Sequence, residues 1–394
     1  MTKFLRYLVI YFYGLLIIVT PLLFSSTTGF EIPKVFFVRF LTGIFVILYL
    51  IINLITPRKI KFDKYDLLGL CWVLFILGSS LLSNNFNNSF YGGPFRFQGI
   101  LTQICLVLIF FITRQLLGRY KNLLDTICNL IILSGVIQTV LIVFQWLSVY
   151  VFKLELATYS GRVVSTLGQP NFAAGVVLVP LALLLGKFSK KYLFFIVSMT
   201  AAIIMTGSIA EILTTVTLFL IVLIKKYGNK LNKSAIIAFL FLILFSSIFA
   251  YKREISRLNY PNNPVESRLS IWPASVKLFL RRPLVGYGAE NLQFVFPSEL
   301  GGVSIDRAHN AVLDSLLVGG IFLGGIYILL IYFGLTVNFK DKSKFPLILA
   351  FLAIILREQV GVSSIVNLLY FWLILSMIFK IKKAKFILKK QVNP

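Results

Sequence analysis

The stretch HNAVLDSLLVGGIFLGGIYILLIYFGLT, residues 309–336, decides the fold class of this 394-residue chain. Apart from Asp314 near its start it carries no charged residue, and an apolar run of about 20 residues spans the hydrocarbon core of a bilayer. Similar runs recur along the chain, which is 58% hydrophobic and 13% charged, with a mean hydropathy of +0.90. A soluble domain carries about twice that charged fraction. The sequence therefore predicts an all-α polytopic membrane protein.

Hydropathy predicts about 12 transmembrane helices in a single integral membrane domain, residues 1–394. The predicted spans are residues 7–24, 35–56, 66–83, 98–116, 124–150, 171–186, 191–207, 209–224, 234–251, 309–336, 346–361 and 364–380. The seventh and eighth spans and the final pair are the weakest, so about 10 or 11 helices is an alternative. A long loop, residues 253–308, joins the predicted helices 9 and 10.

The formal net charge is +25, and the basic residues lie mainly in alternate short loops. Those loops and the two termini hold 25 of the 39 lysines and arginines. Because positively charged loops stay in the cytoplasm, the pattern predicts a multi-pass protein of the bacterial cytoplasmic (inner) membrane, with both termini cytoplasmic. Residues 253–308 are then on the outer face. The charge orients the chain in the lipid bilayer, so nucleic acid is not an expected partner.

The chain contains a single histidine, His309, where the long outer loop meets the next apolar run. Histidine accepts a proton near neutral pH, which makes His309 the natural general base for activating a hydroxyl group. A structural histidine at the membrane interface is the alternative. One histidine with scattered outer carboxylates does not make a metal site, and the three cysteines have no CxxC spacing. The sequence therefore predicts no metal ion and no other cofactor.

Arginine is the second feature of the predicted outer face. The arginines that map there are Arg96, Arg162, Arg268, Arg281, Arg282, Arg307 and Arg357. Arginine binds a phosphate group in a fixed bidentate geometry that lysine cannot reproduce. Arg281 and Arg282, next to Pro283, are expected to reach lipid headgroups. Arg162 and Arg268 are the candidates for a diphosphate site because of the segments around them.

Those two segments have distinct patterns. In GRVVSTLGQPNFAAG, residues 161–175, the turn at Gln169 and Asn171 opens a helix whose N-terminus favours anions; a plain helix cap is the alternative. In ESRLSIWPASVKLFLRRPLVGYG, residues 266–288, apolar residues alternate with charges as in a helix lying on the membrane surface. This helix can direct Arg268 towards His309. A surface ion pair between Arg268 and Glu266 is the alternative.

Five stretches, taken in order, resemble the O-antigen ligase and polymerase superfamily. They are FYGGPFRFQGI (90–100), GRVVSTLGQPNFAAG (161–175), SRLSIWPASVKLFLRRPLVGYG (267–288), RAHNAVLDSLLVGGIFLGG (307–325) and REQVGVSSIVNLLYFWLI (357–374). The resemblance covers residues from about 80 to 380, all on one predicted membrane face. It implies a membrane fold like that of the C-type glycosyltransferases. It also implies transfer of a glycan from an undecaprenyl-diphosphate carrier to a glycan, lipid A-core or protein hydroxyl, without metal or nucleotide.

Carried onto this chain, the resemblance makes His309 the base or the residue that positions the acceptor, and it makes Arg268, with Arg162, the ligands of the diphosphate. Further substrate-binding candidates are Arg96, Gln169, Asn171, Trp272, Tyr287, Arg307, Asn310 and Arg357. The chain departs from the superfamily pattern at Thr206-Gly207-Ser208-Ile209, where many members have an arginine at the last position. Arg162 or Arg357 would have to replace it.

Three other functions remain open from the sequence. A polysaccharide or lipid-linked oligosaccharide transporter or flippase is also polytopic, but transporters concentrate ionisable groups in the middle of the membrane. Here the polar residues concentrate in outer loops and at helix ends, with Glu211 the main exception. A protein O-oligosaccharyltransferase is an alternative within the superfamily. A peptidoglycan polymerase is similar in outline, but the histidine motif argues against it.

Overall fold

A computed structural model describes residues 2–25, 29–228, 267–337 and 341–380, together with the single residues 248, 252 and 255. Within these ranges the chain is helical, with two isolated β-bridges and no β-strand. The predicted ninth span, residues 234–251, and residues 256–266 of the long outer loop lie outside the described ranges, apart from Ile248.

The helices follow the apolar runs of the sequence. They are α1 (Thr2–Gly14), α2 (Glu31–Ile55), α3 (Lys64–Leu81), α4 (Phe86–Tyr91), α5 (Ile100–Arg119), α6 (Leu123–Trp146), α7 (Pro170–Lys187), α8 (Leu193–Met205), α9 (Ile209–Tyr227), α10 (Arg268–Arg281), α11 (Leu292–Val295), α12 (Ala311–Thr336), α13 (Phe345–Glu358) and α14 (Ile365–Ile378). Short π-helical segments, Leu15–Val19 and Leu147–Val151, extend α1 and α6.

Seven helices in the described part are long and apolar enough to cross a membrane. They are α1 with its extension (Lys3–Leu22), α2, α3, α5, α6 with its extension (Leu123–Val151), α7 and α12. α14 is a shorter apolar helix. The chain is therefore a polytopic all-α membrane protein, and the total of 12 spans stays a prediction.

α7 lies at the centre of the bundle and packs against α6, α8, α9 and α13. Its small and aliphatic residues are almost all buried. Close packing needs a glycine on α6, because a Cβ at Gly135 would lie 2.2 Å from Pro180 Cγ. α7 begins with Pro170, whose fixed φ suits the first turn of a helix. Gln169, the N-cap residue, and Asn171 therefore stand at the N-terminus of this central helix.

An outer layer forms around α10, α11 and the first turns of α12. α12 is interrupted at Gly319 and Gly320, where Gly320 has φ +66° and ψ −163°. The loop after α10 fills this break: Ile321 N donates to Pro283 O at 2.8 Å, and Tyr287 N donates to Leu317 O at 2.8 Å. A Cβ at Gly320 would lie 2.2 Å from the carbonyl oxygen of the loop, so no other residue fits there. The break thus fixes α10 relative to the start of α12.

The opposite end of the bundle also contains a buried guanidinium. The Arg114 side chain is fully buried and pairs with Asp66, which is equally buried, and with Asp63 at 2.6 Å. Asp63 caps α3 in a capping box with Asp66. Burying a charge is tolerable only when it is paired, so this cluster fixes α5 against α3.

Candidate active site

His309 lies in a tightly determined turn just before α12. Its φ is +57°, a left-handed conformation that non-glycine residues seldom adopt. Both neighbours hold the turn. Asn310 caps α12 by accepting hydrogen bonds from Val312 N and Leu313 N at 3.0 Å, and Asp314 accepts one from Ala308 N at 2.6 Å. A strained residue held by its surroundings in this way is a common feature of active sites.

Arg268 is the first residue of α10 and lies beside His309. Its Nη2 atom is 3.4 Å from His309 Nδ1, although 41 residues separate the two positions. Ser267 precedes it as the N-cap and accepts a hydrogen bond from Leu269 N at 3.3 Å. Because α10 packs against α12, the start of α10 directs Arg268 towards the histidine turn. The two side chains predicted as catalytic are brought together.

The turn between α13 and α14, residues 359–364, completes this edge and is named the return turn here. Val360 O accepts a hydrogen bond from Arg268 Nη2 at 3.3 Å. Gln359 O accepts one from Asn310 Nδ2 at 3.0 Å. No feature of the sequence marks these carbonyls, because main-chain acceptors are the same in every residue. The group formed by Arg268, His309, Asn310 and the return turn is called the catalytic edge below.

Arg307 and Arg96 lie close by but bind carboxylates. Arg307 pairs with Glu290 and also donates to Gln98 Oε1 at 3.3 Å, while Arg96 pairs with Asp306. These two ion pairs are called the clamp, and the Arg96–Asp306 pair joins the loop before α5 to the loop that contains His309. Burial raises the pKa of Asp306, but Arg96 outweighs this effect and the net pKa lies below the ordinary value. The Asp306 carboxylate is therefore held ionised beside the Arg96 guanidinium.

Arg162 and Asn171 meet at the start of α9. Arg162 Nη1 donates to Gly207 O at 3.3 Å, and Ser208 Oγ donates to Asn171 Oδ1 at 3.0 Å. Gln169 is the N-cap residue of α7, where its side chain makes no capping hydrogen bond. Arg162 therefore lies against the turn between α8 and α9.

Arg357 is not brought to the same surface. Its side chain is buried between helices, with Nε 3.1 Å from Glu211 Oε1 and Nη2 2.9 Å from Val362 O. Sequence reasoning mapped this arginine to the outer face because it stands at the end of an apolar run. Hydropathy does not show which way a side chain at a helix end turns.

The two aromatic candidates pack in the outer layer. Trp272 lies against an apolar cluster that includes Ile271 and Leu278. Tyr287 donates its hydroxyl hydrogen bond to Leu278 O at 2.8 Å, and its ring lies 5.3 Å from the Arg282 guanidinium carbon. Burial raises the pKa of Tyr287. Both side chains pack around α10 and the loop that follows it.

Two comparisons with known proteins bear on this geometry. The O-antigen ligase family model matches residues 194–329, a range that contains both Arg268 and His309. The ComP-specific O-oligosaccharyltransferase of Acinetobacter baylyi (strain ATCC 33305 / BD413 / ADP1) is 29% identical over 221 residues. Both comparisons support the O-antigen ligase superfamily for this chain. The alignment covers 51% of this chain and 40% of that relative, so the chain spans less than half the length of the relative that it matches.

Within the superfamily pattern, the turn that lacks an arginine at Ile209 is the one that Arg162 contacts. A Cβ at Gly207 would lie 3.3 Å from Arg162 Cδ, so the arginine side chain runs directly across this turn. Arg357 approaches the same helix from its buried side, through Glu211. Of the two arginines expected to replace the missing one, Arg162 is the one that lies at the turn itself.

Sequence reasoning missed a cavity of about 120 Å³ that adjoins the histidine turn. Its lining includes Arg307 and Glu290 of the clamp, Asp314 of α12, Glu358 and Tyr327. The Tyr327 hydroxyl donates a hydrogen bond to Glu358 Oε2 at 3.2 Å. Apolar side chains such as Val318 and Phe371 form part of the same lining. Asp314 and Glu358 stand near the ends of apolar runs, where a lone acidic residue in the sequence looks like a helix boundary.

Proposed function

We propose that this protein transfers a glycan from an undecaprenyl-diphosphate carrier to an acceptor hydroxyl on the outer face of the bacterial cytoplasmic membrane. The observation that carries the proposal is the contact between Arg268 and His309, a guanidinium and an imidazole whose nitrogens are 3.4 Å apart. One group suits a diphosphate and the other suits a hydroxyl proton. The match to the O-antigen ligase family model supports the same class of reaction, the transfer of a glycan.

The reaction requires one bond to form and one to break. His309 accepts the proton of the acceptor hydroxyl as its oxygen attacks the anomeric carbon of the glycan. The bond between that carbon and the diphosphate oxygen breaks, and undecaprenyl diphosphate leaves with the electron pair. Arg268 stabilises the negative charge that develops on this leaving group, as preorganised cations do in other phosphate sites. Arg162 is the second proposed ligand of the diphosphate.

The proposed mechanism needs no metal ion. The described residues contain no group of three or more histidine, cysteine, aspartate or glutamate side chains placed to hold one. The guanidiniums then take the part that divalent cations take at many other diphosphate sites. We expect transfer to continue at an unchanged rate in excess chelator. A loss of activity that magnesium or manganese restores would contradict this part of the proposal.

A protein hydroxyl is a second candidate acceptor, favoured by the ComP-specific O-oligosaccharyltransferase among the relatives. A growing polysaccharide and lipid A-core are the other acceptors that the superfamily resemblance implies. The catalytic edge is compatible with each, because His309 needs only a hydroxyl group.

The test is transfer by the purified protein in liposomes that contain an undecaprenyl-diphosphate-linked glycan. The expected result is a new glycosidic bond on the acceptor, with one undecaprenyl diphosphate released per glycan transferred. Separate reactions with a hydroxyl-bearing protein, a polysaccharide and lipid A-core identify the acceptor. Movement of the intact lipid-linked glycan between leaflets, with no diphosphate released, would instead show a flippase.

The proposed topology is tested separately. With both termini cytoplasmic, a cysteine placed at Gly301 is expected to react with an impermeant thiol reagent added outside the cell. Gly301 is suitable because its backbone is exposed and nothing lies within 4 Å of an added Cβ, although its φ of +60° makes the substitution slightly strained. Labelling only from the cytoplasmic side would overturn the orientation.

A further inference from the structure

A buried ion pair joins α13 to α9, and the proposed reaction gives it no part. Arg357 and Glu211 side chains are each 1% exposed, and their Nε and Oε1 atoms are 3.1 Å apart. Removing two charges from water is costly, so a buried pair is weak support for stability by itself. The contacts around the pair show what it holds in place.

The central helix α7 is shaped to admit this guanidinium. A Cβ at Gly175 would lie 2.9 Å from Arg357 Nε and 3.0 Å from its Cζ. Any larger residue at this position would collide with the arginine. Three helices, α7, α9 and α13, therefore meet around one guanidinium, and a shift of any of them moves the other two.

On one side, the pair reaches the catalytic edge through the return turn. Arg357 Nη2 donates to Val362 O at 2.9 Å, which holds this turn from its buried side. The same turn presents Val360 O to Arg268 at 3.3 Å and Gln359 O to Asn310 at 3.0 Å. Arg357 thus stands one hydrogen-bonded turn away from Arg268.

On the other side, the pair reaches Arg162 through the first turn of α9. Glu211 is in that turn, three residues after Ser208, the N-cap residue of α9. Gly207 O accepts from Arg162 at 3.3 Å, and Ser208 donates to Asn171 at 3.0 Å. A fixed Glu211 therefore fixes the carbonyl against which Arg162 lies.

We infer that the buried Arg357–Glu211 pair is a positioning device that sets the spacing between Arg268 and Arg162, so that both guanidiniums engage one diphosphate. The inference rests on the proposed function for what the two arginines bind. Arg357 is then a positioning residue that acts through the return turn and does not touch the donor.

The conservative variant Arg357→Lys tests this inference because lysine keeps the charge but cannot bind Glu211 and Val362 O in the same fork. We expect transfer to fall about tenfold in an otherwise unchanged protein and less than about twofold when Arg268 is already alanine. Glu211→Gln should behave in the same way. If Arg357 acted independently of Arg268, Arg357→Lys would lower transfer by the same factor with and without Arg268→Ala. That result would overturn the inference, because the loss of a direct donor ligand or a general loss of folding acts equally in both proteins.

Hydrogen exchange of the return turn provides a readout that needs no donor. We expect faster exchange in peptides covering residues 359–364 of Arg357→Lys. The matched control is Arg114→Lys. Arg114 is as buried as Arg357, pairs with Asp66 and lies near the C-terminal end of α5. The control should lose stability without changing exchange in the return turn or the dependence on Arg268.

The possible failures are distinguishable. Unchanged exchange in the return turn would overturn the positioning role, whatever happens to transfer. Full activity of Arg268→Ala would contradict the proposed function, while hydrogen exchange would still decide whether Arg357 fixes the turn. Faster exchange together with effects that multiply would show that the turn does not reach Arg268, and this too would overturn the inference.

Discussion

Arg307 and His309 are two residues apart, yet they belong to regions that treat charge in different ways. In the clamp, Arg307 and Arg96 face the carboxylates of Glu290 and Asp306. At the catalytic edge, Arg268 meets an imidazole and a main-chain carbonyl. An arginine paired with a carboxylate is suited to holding loops together, whereas an arginine beside a candidate general base is placed to meet an anionic substrate. The comparison separates residues that build the site from residues proposed to act in it.

The largest expected effect falls on His309. A general base within hydrogen-bond reach contributes about 10²–10⁴-fold, so His309→Ala should lower transfer by at least about 100-fold. Donor binding and thermal stability should change little. Rates measured against pH sharpen the comparison: the loss of activity on the acid side, where histidine is protonated, should disappear in the variant. Full activity of purified His309→Ala would show that the histidine is structural.

Arg268→Ala is expected to cost about 3 kcal/mol of transition-state stabilisation, or roughly a 100-fold loss of transfer. Donor binding should weaken as well, which distinguishes this variant from His309→Ala. Arg268→Lys should recover little, because lysine keeps the charge but loses the planar fork. The matched control is Arg281→Ala, whose side chain is 56% exposed and pairs with Glu299 at the C-terminal end of α10. A loss of transfer in Arg281→Ala equal to that in Arg268→Ala would show that the effect is not specific to the catalytic edge.

Substitutions in the clamp should lower thermal stability more than they lower the transfer rate of the folded protein. Arg307→Ala leaves Glu290 buried without its partner, at a cost of about 3–5 kcal/mol. Thermal unfolding in detergent should show a lower midpoint, while the folded fraction keeps most of its rate per molecule. The double variant Arg307→Met with Glu290→Gln should be milder, because no unpaired charge remains. A stable but inactive Arg307→Ala would place this arginine among the substrate ligands.

The smallest expected effect is the response of Asp306 to acid. Its pKa in the folded protein is lowered, so the stability it contributes is complete above its unfolded pKa and is lost as the pH falls through the folded value. The affected window lies below about pH 4, the ordinary range of an aspartate. Asp306→Asn should remove this part of the acid dependence. Unfolding midpoints measured from pH 6 down to pH 3 would show it, and identical curves for the two proteins would contradict the ion-pair interpretation.

The membrane class and the neighbourhood of the two central residues were predictable from the sequence. Apolar runs report helices directly, and the amphipathic pattern of residues 266–288 directed Arg268 towards His309. The contacts that build the clamp were not predictable, since Arg96 and Asp306 are 210 residues apart and any outer carboxylate is a possible partner. The spacing of Arg307 and Glu290 gave no signal either.

Helix ends account for most of the remaining difference. Arg357 and Glu358 close an apolar run, and nothing in that run tells whether their side chains turn to the surface or to the core. The Gly319-Gly320 pair was quoted within a motif, but a pair of glycines in a membrane helix can serve packing as well as a break. Only the loop that fills the break shows its purpose.

The break in α12 has a consequence for how the protein responds to its membrane. Bilayers of different thickness are accommodated by tilting or bending spanning helices. Leu317 and Val318, before the break, accept hydrogen bonds from the loop after α10, and Ile321, just beyond it, donates one to Pro283 O. The later residues of α12 continue the spanning part. We therefore expect a change in lipid chain length to tilt the part of α12 after Gly320, while the histidine turn stays with the loop after α10. Transfer rates should accordingly vary little between short-chain and long-chain lipids, because the catalytic edge is held by that loop and not by the spanning part of α12.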